Sequence, residues 1–252
     1  MHITRLKAAS IHLVISLSIA AAVSALMLFL WYMPPLFSAL GGQQVLLILL
    51  GVDVTLGPLI TLLIYNPKKS RKALTFDLSL IALIQVSALV YGMTVVFHAR
   101  PVFAVFSANS FDLVTANTIR KEDLVKVQHP DFKSLPFSGL VYAYTEMPKN
   151  KKERAEIVLS IFNNGKDLPS YPQYYSPYSE HQISVGSAAK SIAELRKFNP
   201  NDTNEIDQAI KASGQSEEDL GYVPMRTKIQ DLVVLVGKRN GEVIQLLLLK
   251  PW

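Results

Sequence analysis

Between Gln43 and Tyr65 the chain reads QQVLLILLGVDVTLGPLITLLIY, an apolar run in which Asp53 is the only charge. A helix rises 1.5 Å per residue, so a run of this length crosses the roughly 30 Å hydrocarbon core of a bilayer. The same reading extends outward in both directions. Ile11 to Met33 is uncharged, carries Trp31-Tyr32 where an interfacial anchor belongs, and is stopped by Pro34 and Pro35. It is too long for the apolar core of a cleaved signal peptide, about 7–15 residues. Leu78 to Phe97 supplies a third run. The expected architecture is a three-helix transmembrane domain over residues 1–100 and a soluble α+β domain with an antiparallel sheet over residues 101–252.

Charge sets the orientation. Seven basic residues stand before Pro101 against two acidic ones, leaving eighteen of each sign after it. The formal charge of +5 and pI of about 9.2 therefore come from the membrane segment. They do not mark a nucleic-acid partner, which would need a basic stripe on the folded domain. Arg5, Lys7 and the Lys68, Lys69, Arg71, Lys72 cluster lie on one side, and the loop Pro34 to Gly42 on the other carries no charge. By the positive-inside rule the N-terminus and the basic loop are cytoplasmic. Three crossings place everything after Arg100 outside, which in a bacterium is the periplasm. Lone Arg100 is on the unfavoured side.

The polar residues within the spans are the first candidate site. Asp53 falls near the midplane, where a carboxylate is costly unless paired or protonated. Gly57 and Thr61 follow it at helical spacing, and Pro58 leaves the carbonyl of Val54 without its helical donor. Gln85 lies at about the same depth in the third span, with Ala88 and Gly92 as a small-xxx-small pair. Three readings stay open: Asp53 and Gln85 bonding across a tight helix pair, a face for another protein's transmembrane helix, or an ion path. Asp77 is expected to cap the third helix or pair with a neighbouring lysine.

In the outer domain, Val102 to Phe106 and Phe111 to Thr115 read as strands about Asn109-Ser110, and Gly139 to Thr145 as another. Ile119 to Val127 reads as a short helix. Lys151 to Phe162 reads as a helix burying Ala155, Val158, Leu159 and Phe162, ended by Asn164-Gly165. Ala188 to Phe198 and Asn204 to Ala212 read as two further helices. Ile229 to Val236 and Glu242 to Leu249 flank the hairpin signal Asn240-Gly241. Leu168 to Tyr178 carries three prolines, expected to forbid regular structure, and four tyrosines: Tyr171, Tyr174, Tyr175 and Tyr178. It is either a binding loop or a loop folded back on the domain by its own aromatics.

No catalytic constellation or cofactor site is nominated. The chain has no cysteine, which removes disulfides, thiolate zinc sites and thiol catalysis. Ser187-Ala-Ala-Lys190 matches S-x-x-K without its partner motifs. His129 and His181 are isolated. Asn201-Asp-Thr203 reads as a helix start, and no nucleotide-binding fingerprint is present.

Several stretches together resemble the TfpX/TfpZ family of type IV pilin accessory proteins. They are Gly51-Val-Asp-Val-Thr-Leu-Gly-Pro-Leu59, Asn66-Pro-Lys-Lys, Asp77-Leu78 with Gln85, Ala88-Leu89 and Tyr91-Gly92, then Arg100-Pro101. Tyr222-Val-Pro-Met-Arg226, Asp231-Leu-Val and Lys250-Pro-Trp252 complete the set. The likeness runs from about Gly51 to Trp252 and is weakest between Lys133 and Ser216. It implies a non-enzymatic inner-membrane chaperone that binds a type IV pilin before assembly. Asp53, Gly57, Pro58, Thr61, Gln85, Gly92 and the four tyrosines are then the candidate contacts with the pilin. The alternative is a membrane-anchored periplasmic module that binds or senses a small ligand.

Overall fold

The computed structural model describes residues 4–252, which form two units. The first joins the residues up to Met33 with Gly41–Ala99; the second joins Pro34–Leu40 with Arg100–Trp252.

The first unit holds three helices long and apolar enough to cross a membrane: α1 (Arg5–Trp31), α2 (Gly42–Ile64) and α3 (Arg71–His98). Thr4 caps α1 by accepting from the Lys7 amide, and Ser70 caps α3 by accepting from the Ala73 amide. Asp77 pairs with Lys69 at 2.6 Å, so the ion pair is its role and Ser70 takes the cap. Burial is inverted relative to a soluble bundle. Ser16 and Thr61 are buried, while Leu47, Ile48, Leu63 and Leu83 are exposed. Around the far turn of α1, Tyr32 donates to the Val96 carbonyl at 2.8 Å and the Trp31 and Phe97 rings lie 5.0 Å apart.

The second unit is an eight-stranded sheet flanked by helices. Its strands and helices in chain order are β1 (Pro101–Ser107), β2 (Ser110–Thr115), α4 (Lys121–Val125), β3 (Val141–Thr145) and α5 (Lys151–Asn164). There follow β4 (Tyr175–Pro177), α6 (Gln182–Ala188), β5 (Lys190–Ser191), α7 (Ile192–Phe198) and α8 (Thr203–Ser213). Last come β6 (Leu220–Arg226), β7 (Leu232–Gly237) and β8 (Val243–Leu247). The sheet order is β4-β3-β1-β2-β6-β7-β8, with β5 beside β6. It is mixed, not purely antiparallel: β1 pairs β3 in parallel and β2 pairs β6 in parallel. Both parallel pairs are joined by long connections that include helices and other strands, the length that parallel pairing requires.

Four further expectations change. The stretch Ala188 to Phe198 is broken by β5, so α6 and α7 are separate helices. β6 is a central strand that the sequence patterning missed, because Pro224 and Gly221 interrupt it and both its faces are buried. Leu168 to Tyr178 is built from two 3-10 turns followed by β4, with a third turn starting at Tyr178, and is not irregular coil, because each proline sits at the start of a short turn or closes the strand. Ala155, Val158, Leu159 and Phe162 of α5 are exposed, and Ile157 on the opposite face is the residue that packs inward.

The hairpin around Asn240-Gly241 forms between β7 and β8, with Val236 opposite Val243. Gly241 has φ +63°, and a Cβ there would overlap the backbone of Gln182. The core includes a segment from between the first two helices. Leu36 and Ala39 are buried among Phe106, Met225, Leu232 and Val234, and the Gln230 amide donates to the Ala39 carbonyl at 3.2 Å. Arg100 is buried, with its guanidinium on the Pro136 carbonyl at 2.7 Å.

Candidate functional site

The candidate site is the polar interior of the first unit. Pro58 has no N–H to give, and the turn before it, Val52–Leu56, widens to π-helical geometry. Asp53 sits in that widened turn. Gln85 of α3 reaches it with Nε2 3.4 Å from the Asp53 backbone carbonyl. The bond across the helix pair therefore goes to the main chain and not to the carboxylate. Asp53 Oδ1 is buried with no hydrogen-bond partner among the described residues. An unpaired buried acceptor is destabilising by about 1–3 kcal/mol, more when charged, unless a partner or water reaches it.

Gly57, Pro58 and Thr61 are buried on the side of α2 that packs against α1. His12 Nδ1 lies 2.6 Å from Thr61 Oγ1. A Cβ at Gly57 would overlap the Gln85 amide and come within 2.9 Å of His12 Nε2. The glycine is thus the space in which two polar side chains from the flanking helices converge. His12 and Ser16 are members of this cluster that sequence reasoning missed. Their signal was present, as a histidine and a serine at i, i+4 spacing in a mostly apolar run.

Two hollows open from Asp53. A cavity of about 210 Å³ is lined by His12, Ser16, Asp53, Ala82, Gln85 and Leu89. A groove of about 310 Å³ between α2 and α3 is lined by Val45, Ile48, Val52, Asp53, Ala88 and Gly92, among others. Asp53 lines both and is the only acid in either. Gly92 therefore lies on an open surface, whereas Gly57, Pro58 and Thr61 face the interior.

The four tyrosines divide as well. Tyr175 and Tyr178 are buried, with hydroxyls donated to the Pro169 and Gly241 carbonyls. Tyr171 donates to Ser160 Oγ at 2.8 Å. These bonds fold the loop onto the domain. Tyr171 and Tyr174 remain half-buried in a cleft of about 430 Å³ with Lys126, Glu153, Glu156 and Gln173. Burial, then the nearby Glu153 carboxylate, pushes the Tyr174 hydroxyl above its usual value. Burial also raises Asp112, and the Arg226 guanidinium 2.8 Å away offsets this only in part.

The residues of the resembling C-terminal motifs hold the fold. Tyr222 donates to the Pro251 carbonyl at 3.1 Å, Asn199 bonds both backbone groups of Lys250, and Asp231 accepts from the Thr227 amide at 2.8 Å. Ser187 donates to the Ile183 carbonyl and Lys190 pairs with Glu194, so each is engaged locally. His129 caps a turn and His181 stacks on Tyr144 at 3.8 Å. Among the described residues no group of three or more histidines and carboxylates could hold a metal.

Three helices of membrane-crossing length around a polar interior, followed by a mixed-sheet domain, define a membrane-associated protein. The chain belongs to the fimbrial assembly protein family. It is 31% identical over 220 residues to the fimbrial assembly proteins of serogroups I and E1 of Dichelobacter nodosus, covering 87% of this chain and 85% of each relative. It is 37% identical over 118 residues to the protein of serogroups C1 and C2, covering 47% of this chain and 90% of that one. The model of the fimbrial assembly protein FimB family matches residues 2–41, the segment before the motifs of the pilin accessory resemblance. No solved structure matches.

Proposed function

We propose that this protein is an inner-membrane chaperone for type IV pilin subunits, holding each pilin before it enters the fibre. The observation that carries the reading is the groove between α2 and α3, mostly apolar, with Tyr91 and one carboxylate in its lining, the Oδ1 of that carboxylate lacking a partner among the described residues. A pilin awaiting assembly is a single transmembrane helix with a soluble head. A groove of this kind suits a helix that presents small residues and one hydrogen-bond donor.

Membership of the fimbrial assembly family supports a role in pilus assembly, and the inverted burial of the helices supports insertion in lipid. In this reading the N-terminus and the Lys68–Lys72 loop are cytoplasmic and the mixed-sheet domain is periplasmic. The role needs binding and release and no bond chemistry, so we assign no enzymatic activity and no cofactor. The cleft at Tyr171 and Tyr174 favours a second reading, capture of a small periplasmic ligand.

The test is affinity purification of the tagged full-length protein from mild-detergent membranes, with mass spectrometry of co-eluting proteins. The chaperone reading expects a type IV pilin enriched over a tagged, unrelated three-span control. If pilin is present in the input and absent from the eluate, the ligand-binding reading replaces it.

A further inference from the structure

Five unpaired basic side chains gather at one end of the first unit. His12 stands opposite Thr61, and Ser16 lines one cavity with Asp53, so α1 and α2 run antiparallel and the start of α1 lies beside the end of α2. α3 begins at that same end, after a short ordered loop. In the loop, Asn66 accepts from the Lys68 amide through its side chain and from the Lys69 amide through its carbonyl, both at 3.0 Å. Before Leu78 the chain has two acids. Asp53 lies about 16 Å along α2 from this end, and Asp77 is held by Lys69 at 2.6 Å. Arg5, Lys7, Lys68, Arg71 and Lys72 are exposed and make no ion pair among the described residues.

We propose that this basic end binds the headgroups of anionic phospholipids. The proposal rests on the reading of the three helices as membrane-spanning and is independent of the pilin. Charge complementarity is the first argument: juxtamembrane basic clusters attract anionic headgroups strongly. The helix ends add to the field, because α1 and α3 both start here with two bases and no acid in the first turn, where the helix dipole already favours an anion. The second argument is the apolar collar beside the charges. Leu6 of α1, Leu63 of α2 and Phe76 of α3 are 69%, 76% and 68% exposed, one on each helix, within two turns of the bases. Long basic side chains beside outward apolar ones fit the boundary between acyl chains and headgroups. A soluble acidic partner or a nucleic acid would match the charges and leave the collar bare.

The experiment reconstitutes the detergent-purified full-length chain into nanodiscs of phosphatidylcholine and phosphatidylglycerol in equal amounts. Both leaflets then have one composition, so the orientation of the chain does not matter. Native mass spectrometry after release from the disc counts the lipids that stay bound. The expected result is phosphatidylglycerol retained several-fold over phosphatidylcholine. That preference should fall several-fold when Lys68→Gln, Arg71→Gln and Lys72→Gln are combined, and persist with Lys68→Arg and Lys72→Arg. It should be unchanged when three exposed lysines of the second unit are neutralised as Lys149→Gln, Lys151→Gln and Lys152→Gln. Equal retention of the two lipids, indifference to the loop triple variant, or an equal fall in the second-unit triple variant would overturn the proposal while the chain still enters the disc. A chain that enters no disc would sink the membrane-spanning reading and the proposal with it.

Discussion

His12 Nδ1 and Thr61 Oγ1 lie 2.6 Å apart, joining the first apolar helix to the second across 49 positions of sequence. Thr61 is 1% exposed, so neither water nor lipid replaces this bond when it is cut.

Thr61→Val should therefore destabilise the first unit by roughly 0.6–2 kcal/mol, the range for interhelical hydrogen bonds in lipid. His12→Leu should cost a similar amount, and the double variant less than the sum, because both partners are then apolar. Thermal midpoints of the full chain in detergent check this. Full additivity of the two single effects would show that the bond is not formed.

The groove makes a different prediction at Asp53 and Gly92. Asp53→Leu should leave accumulation near normal but reduce co-purified pilin several-fold, whereas Asp53→Asn keeps an acceptor and should retain more. Gly92→Leu should act like Asp53→Leu by filling the groove. Quantitative immunoblots of pilin per unit of protein decide it. Unchanged pilin recovery in both Leu variants would rule out the groove as the contact.

Leu36 lies in the core of the mixed-sheet domain although it comes from between α1 and α2. Leu36→Ala should destabilise that domain by about 2–5 kcal/mol, the cost of a large-to-small change in a packed core. The readout is limited proteolysis of the full chain, with faster cleavage inside residues 101–252. A domain as resistant as the wild type would mean that the segment packs there without supporting it.

Alkaline pH should unfold the domain through its buried tyrosines. Burial pushes the Tyr142 hydroxyl up to about 12, and Tyr178 is raised by burial and by Tyr142 beside it. A raised folded value means that the folded state holds the proton more tightly. The associated stability is complete below the unfolded value near 10 and is lost as pH rises from there towards 12. Absorbance of tyrosinate against pH should show part of the tyrosine signal delayed until the far-ultraviolet signal is lost. Complete ionisation near pH 10 with the fold intact would contradict this.

The sequence revealed the membrane-type helices because their signal is one-dimensional: length without charge. It also marked Asp53 and Gln85, since polar residues stand out against an apolar run. What it could not show was pairing. Thr61 and His12 meet only through packing, and Gln85 selects the carbonyl of Asp53 over its carboxylate because the π-turn presents that carbonyl. α5 misled for a physical reason. Ala155, Val158, Leu159 and Phe162 have the spacing of a core face, and a helix that leaves such a face exposed has the same pattern as one that buries it. β6 escaped because a strand buried on both faces has no alternation to read.

The absence of native cysteines allows contact through the groove to be tested directly. Single cysteines at Ile48 and Tyr91, which line the groove, and at Leu17 and Leu63, which do not, would be paired with single cysteines along the transmembrane helix of the pilin and oxidised in native membranes. A pilin helix seated in the groove should give disulfide adducts from Ile48 and Tyr91 at one face of that helix and little from Leu17 or Leu63. Equal adducts from all four positions, or none from the groove while pilin co-purifies, would contradict it.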